Sequence, residues 1–227
     1  MFLTNDNKIK WKLLSITSAV LGVFIGVGVL WLDIPVYNFM RNFDFSIWKI
    51  FDGLFSFKIW IAVSGLVLIV AKLCMYMVQR DKAPHKFCTR RILWDDTDGA
   101  PPQNIIRTAR LVFLSVLAAG AVTGALKIII GRMRPIFFEA LGQTGFYPMT
   151  REWAFNSMPS GHTAASFAGL VMIGLLFPKY KWAIWTLAIV IALSRVASGV
   201  HWPTDVLFGA FIGMVVADFV KSYFARK

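Results

Sequence analysis

Three short stretches place reactive side chains near the ends of apolar runs. "LKIIIGRMRP" carries Lys127 and Arg134, "NSMPSGHTAASFAGL" carries Ser160, Gly161 and His162, and "IALSRVASGVHWPTD" carries Arg195, His201 and Asp205 within eleven positions. Lys127, Arg134 and Arg195 would repel one another in a partly dry site unless an anion lay among them, so an oxyanion is implied. A guanidinium fork matches phosphate oxygens in pairs, and lysine adds a mobile point charge. The N–H groups of Ser160, Gly161 and His162, at the start of a helix, would point at the same anion, with Gly161 letting the backbone come close.

The chain has only three histidines, and two of them sit at this level. If the anion is a phosphoryl group, the pair suits its hydrolysis: one ring attacks phosphorus through a neutral nitrogen, and the other protonates the departing oxygen. An attacking histidine needs its second nitrogen held, and Asp205, four residues from His201 across "WPT", is placed to hold it. Zinc is disfavoured because a third ligand is lacking and three cations would oppose it. The cations would balance the equatorial oxygens, so neither a metal nor another cofactor is expected.

These residues need a scaffold, and composition says which solvent surrounds it. Hydrophobic residues make up 57% of the 227 positions and charged residues 16%, with a mean hydropathy of +0.63, beyond the usual soluble domain. Six apolar segments read as membrane spans: Leu13 to Leu32, Ile59 to Val78, Leu111 to Ile130, His162 to Phe177, Trp182 to Val200 and Asp205 to Val220. The first lacks a small-residue cleavage pattern and reads as a retained helix rather than a signal peptide. The expected fold is therefore an all-α polytopic membrane bundle of about six transmembrane helices, one domain over 1–227.

Net charge is +12, which in a soluble protein would suggest nucleic acid. Here the basic residues alternate between loops, fifteen on the side of both termini and six on the other. The positive-inside rule puts both termini in the cytoplasm, the three reactive stretches at the outer surface, and no nucleic acid among the partners. Gly22 and Gly26, Gly120 and Gly124, and Gly209 and Gly213 are spaced for close helix packing. Cys74 and Cys88 read as unpaired thiols. Residues 33–58 suggest a helix lying in the outer interface and bordering a lipid entry site, or a plain aromatic anchor. Residues 81–110 read as a solvated cytoplasmic loop, since its Asp96-to-Arg107 stretch lacks the final glutamate of a calcium loop.

Lys127 with Arg134-Pro135, then Pro159-Ser160-Gly161-His162, then Ser194-Arg195 with His201 and Asp205, resembles the three-part signature of the type 2 phosphatidic acid phosphatases. The resemblance in span layout covers roughly residues 59 to 220. It implies His201 as nucleophile, His162 as general acid, Asp205 as the orienting partner, and Lys127, Arg134, Ser160, Gly161 and Arg195 as phosphate ligands. The signature is shared with vanadium haloperoxidases, which are soluble, and with glucose-6-phosphatase. The short chain is more similar to bacterial-type lipid phosphatases acting on phosphatidylglycerophosphate, undecaprenyl diphosphate or lipid A.

The expectation is a metal-independent phosphatase in the bacterial inner membrane, removing a phosphate or diphosphate group from a membrane lipid at the periplasmic face. Phosphatidic acid is a further candidate substrate, and the lean is toward lipid A or a related envelope lipid. A lipid phosphotransferase and a non-hydrolytic lipid-binding or transport protein are the alternatives, and the oligomeric state is open. Arg132 is expected either to contact a second phosphate or sugar headgroup, or to face headgroups from the interface. Trp153, Phe155 and Trp202 would border the headgroup or act as anchors.

Overall fold

In the computed structural model, which describes residues 1–79 and 103–225, the chain is a bundle of helices. No strand occurs among the described residues, only isolated bridges between Leu3 and Ile9 and between Arg132 and Phe146. The helices are α1 (Trp11–Val27), α2 (Asp33–Arg41), α3 (Ile47–Leu54), α4 (Phe57–Gln79), α5 (Gln103–Ile130), α6 (Pro135–Leu141), α7 (Gly161–Leu176), α8 (Lys181–Ala197) and α9 (Pro203–Ala225). Glycine and proline punctuate them in the expected sense. Pro135 and Pro203 open α6 and α9, where a missing N–H costs nothing, and Gly142 closes α6 in the left-handed region at φ +67°.

Among the described residues, four helices are long and apolar enough to cross a membrane: Trp11–Arg41, Ile106–Ile130, Pro178–Ala197 and Pro203–Phe224. The other two expected spans are α4 and α7, and neither is among the four. At 16 residues, α7 is about 24 Å long, short of a hydrocarbon core of about 30 Å.

The first span runs well past Leu32, so residues 33–58 are not one interfacial helix. They divide into α2, continuous with α1, and the separate short α3. The continuity needs a device, because Pro35 cannot donate to the preceding turn. Gly28–Leu32 widens into a π turn in which the Asp33 amide donates back to the Gly28 carbonyl, and the helix continues through it. Residues 103–110, expected in the polar loop, already belong to α5. The rest of that loop, including Cys88 and Asp96, lies outside the described residues.

In lipid, helix association depends on close packing rather than hydrophobic transfer, which favours small residues at interfaces. The central helix α7 supplies them, with Ala164, Ala165 and Ala168 fully buried between α5, α8 and α9. On α9, a Cβ at Gly209 would stand 2.5 Å from the Ser160 carbonyl oxygen, and one at Gly213 would stand 2.5 Å from that of Ala164. The other expected pairs differ. Gly120 makes room for the Phe57 ring, while Gly22, Gly26 and Gly124 face open space.

Candidate active site

Lys127 lies one turn before the end of α5, and its Nζ donates to the carbonyls of Asn156 (2.5 Å) and Ser157 (3.3 Å). Gly131, at φ +61°, then turns the chain where any side chain would run into the Tyr147 carbonyl. The turn brings Arg134 onto the Asn156 carbonyl as well. Its Nε donates to Trp153 O (2.9 Å), and its two terminal nitrogens donate to Val200 O (3.1 Å) and Asn156 O (3.2 Å). Lys127 and Arg134 are held by carbonyls, which compete less with an incoming anion than carboxylates would. Burial pushes Arg134 down only to about 10, so it remains cationic at neutral pH.

Arg195 is in the last turn of α8, and its carbonyl accepts the amides of Val200 and His201 across a tight turn. Gly199 supports that turn at φ +75°. His201 thereby enters the site with its side chain 3% exposed, its Nδ1 3.6 Å from Asp205 Oδ2 and 3.5 Å from Ser157 Oγ. Burial drives its pKa well below the ordinary histidine value, and the cations Lys127 and Arg134 add to this against the pull of Asp205. His201 is therefore a neutral ring at physiological pH.

Asp205, wholly buried, occupies the first turn of α9 and reaches back to the Trp202 amide (2.9 Å) as the acidic member of a capping box does. The same Oδ2 accepts the Ser157 hydroxyl (2.5 Å), and Oδ1 accepts Arg132 (2.7 Å). Its backbone carbonyl accepts the Ser160 amide (2.9 Å), tying the start of α7 to the start of α9. That bond alters one expectation, since the Ser160 N–H is already committed inside the protein. No side chain caps α7, so the first N–H groups that follow, those before Ala164, remain for an anion. Gly161 also borders Lys127, whose Cε would lie 3.7 Å from a Cβ there. His162, half-buried in the first turn of α7, feels the charges of both Lys127 and Arg134, as His201 does.

Two expectations fail. Arg132 faces neither a headgroup nor the interface. It is buried and bridges Asp205 and Asp33, whose carboxylate lies 2.5 Å from its second terminal nitrogen. Burial opposes its charge, yet Asp205 and Asp33 together raise its pKa above the ordinary arginine value. Trp202 borders no headgroup either, being 1% exposed with its indole N–H on the Met133 carbonyl (2.9 Å). Trp153 is exposed, with the Arg134 guanidinium 4.1 Å over its ring, and Phe155 stacks on Phe137.

Ser157 and Asp33 join the site although residue types and spacing do not single them out. Asp33 carries a signal, a lone acid closing an apolar run, which in a membrane helix demands a partner. Ser157 carries none. The set brought together is Lys127, Arg134, two histidines and a carboxylate already engaged by Arg132, Ser157 and Trp202. Such donors suit an oxyanion better than a divalent metal.

The model of the PAP2 superfamily matches residues 108–227, just over half of the chain. The chain belongs to that superfamily. It is 36% identical to a lipid A 1-phosphatase of Rhizobium johnstonii over 115 residues, 51% of this chain and 47% of that one. It is 38% identical to a lipid A 1-phosphatase of Rhizobium etli over 102 residues, 45% of this chain and 44% of that one. An undecaprenyl-diphosphatase of Sulfolobus acidocaldarius is 32% identical over 107 residues, 47% and 48% of the two chains. The chain thus spans about half the length of the curated relatives it matches. Among solved structures, that of Aquifex aeolicus LpxE covers 83% of this chain and 94% of its own, at 19% identity and a TM-score of 0.46.

Proposed function

We propose that this chain is a membrane lipid phosphatase that removes a phosphate or diphosphate group from its substrate through a phosphohistidine intermediate. The observation that carries the reading is the meeting of a neutral His201, backed by Asp205, with the cations Lys127 and Arg134 beside the uncapped start of α7. Arg195 and the Ser160 hydroxyl complete the phosphate ligands.

The free nitrogen of His201, Nε2, attacks phosphorus while the bond from phosphorus to the lipid oxygen breaks. His162 delivers its proton to that leaving oxygen. Asp205 offsets the positive charge that the substituted ring acquires. Water, deprotonated by His162, then attacks the phosphohistidine, freeing phosphate and restoring His201. The cations and helix N–H groups hold the equatorial oxygens throughout, so charge neutralisation is supplied by the protein and the reaction needs no metal.

In the membrane the chain is read as six spans, the four long apolar helices with α4 and α7, with both termini cytoplasmic and the site at the outer face of a bacterial inner membrane. Lipid A is favoured as substrate by the names of two relatives, and undecaprenyl diphosphate by that of a third. The test is phosphate release by the purified protein in detergent from lipid A, undecaprenyl diphosphate, phosphatidylglycerophosphate and phosphatidic acid. Wild type should release phosphate from at least one and His201→Ala from none. A folded wild type silent on all four would refute the proposal.

A further inference from the structure

Asp33 lies outside the matched residues 108–227, on a helix that the sequence presents as a membrane anchor. Its side chain is nevertheless 2% exposed and fully engaged at the base of the site. Oδ1 accepts the Thr204 amide (2.9 Å), and Oδ2 accepts the Thr204 hydroxyl (2.6 Å) and Arg132 (2.5 Å). The other terminal nitrogen of Arg132 donates to Asp205 Oδ1 and to the Thr204 hydroxyl, each at 2.7 Å. A buried chain therefore runs from Asp33 through Arg132 to Asp205 and ends 3.6 Å from His201 Nδ1.

Only 6% of the apolar window of the first span is buried, and its far end carries contacts with the bundle, Tyr37 packing on Trp202 and Arg41 donating to the Ala197 carbonyl. Asp33 is the residue of this span that reaches the base of the site. One turn earlier, a Cβ at Gly28 would stand 2.5 Å from Thr204 Cγ2, so this glycine lets the helix reach the residue next to Asp205.

Charge arithmetic gives the chain a task. Asp205 must offset the positive charge on His201 as the ring is phosphorylated, yet Arg132 bonded to Asp205 alone would cancel much of that field. With Asp33 present, one cation is shared between two carboxylates, and the trio retains a net negative charge facing His201. An ion pair placed only to join helices could be replaced by apolar packing at little cost. Here the join ends on the group that backs the reacting ring. Resting on the phosphatase reading above, we propose that Asp33 is a positioning residue for phosphoryl transfer, acting through Arg132 on Asp205. The first helix thereby completes the active site.

The test compares wild type, Asp33→Asn, Arg132→Met and the double variant, using lipid A in detergent micelles and, separately, orthovanadate, which accepts a fifth ligand from an attacking nitrogen. Asp33→Asn should lower kcat on the order of 10- to 100-fold, as loss of a partner one bond removed from a reacting group does. KM should stay close to wild type, while the thermal midpoint should fall because a buried pair loses one partner. Its effect should disappear on top of Arg132→Met, because the two act in series. Vanadate binding should weaken by about tenfold or more, while inorganic phosphate, which forms no bond to His201, binds as before.

Unchanged kcat and vanadate affinity, or losses that simply add in the double variant, would overturn the inference. If Asp33→Asn does not fold, Arg132→Lys carries the test, since one ammonium cannot reach both carboxylates. A kcat within about twofold of wild type would then overturn it. A wild type silent on every lipid would refute the phosphatase reading, and the vanadate comparison would still decide the role of Asp33.

Discussion

At the scale of single residues, the two histidines share the cations Lys127 and Arg134 and differ in burial, His201 being enclosed and His162 half-buried. His201 is held neutral by burial and by nearby cations, which suits a nucleophile, because protonation would remove the lone pair that attacks. The sign of the pH dependence follows. The group is lost only as pH falls through a depressed value, so the acid limb of kcat/KM, corrected for titration of the substrate, should lie below the ordinary histidine value of about 6.5. A limb at or above that value would contradict the burial argument. His162 is assigned the opposite task, and its removal should depend on the leaving group. His162→Ala should cost about 10²- to 10⁴-fold on a lipid alkoxide and far less on an activated aryl phosphate. Equal losses on both would remove it from the acid role.

At the scale of elements, α7 and α9 position these residues, and their contact is made by absent side chains. Gly209 and Gly213 let α9 reach the backbone of α7, and Asp205 reinforces the contact by accepting the Ser160 amide. Gly209→Leu should therefore lower stability by about 1–3 kcal/mol, the usual cost of overpacking. It should also lower phosphate release, as both helix starts are displaced. Gly22→Leu, facing open space, should leave the thermal midpoint in detergent where it is or raise it. A Gly209 variant as stable and active as Gly22→Leu would show that the close approach is dispensable. The glycine spacing marks all three pairs alike in the sequence. Only the arrangement of partners distinguishes a packing glycine from one that merely sits in a helix.

Legibility follows the same division. The signature residues of α7 and of the α8–α9 turn are local in sequence, so their types and spacing alone point to the proposed oxyanion site. Asp33 and Arg132 are 99 positions apart, and no periodicity pairs them. Arg132 consequently reads as a surface cation, and Trp202 as an interfacial aromatic. The extension of the first span to Arg41 is hidden by Pro35, which normally ends a helix but is accommodated here by the π turn before it.

At the scale of the whole molecule, the proposed topology has the site on the outer face, and single cysteines in a Cys74→Ser, Cys88→Ser background test that orientation. Met149→Cys, beside the site and exposed, should react with an impermeant maleimide in intact cells or spheroplasts, whereas Lys179→Cys should react only after lysis. The reverse pattern would invert the topology. Chelation with EDTA should leave phosphate release unchanged, and a loss restored by magnesium would overturn the metal-free reaction. A covalent bond between His201 and phosphorus would be trapped by quenching wild type with its substrate labelled in the transferred phosphoryl group. The account predicts an acid-labile, alkali-stable label on the peptide containing His201, absent from His201→Ala. Release of labelled phosphate with no label on the protein, or label on another side chain, would contradict it.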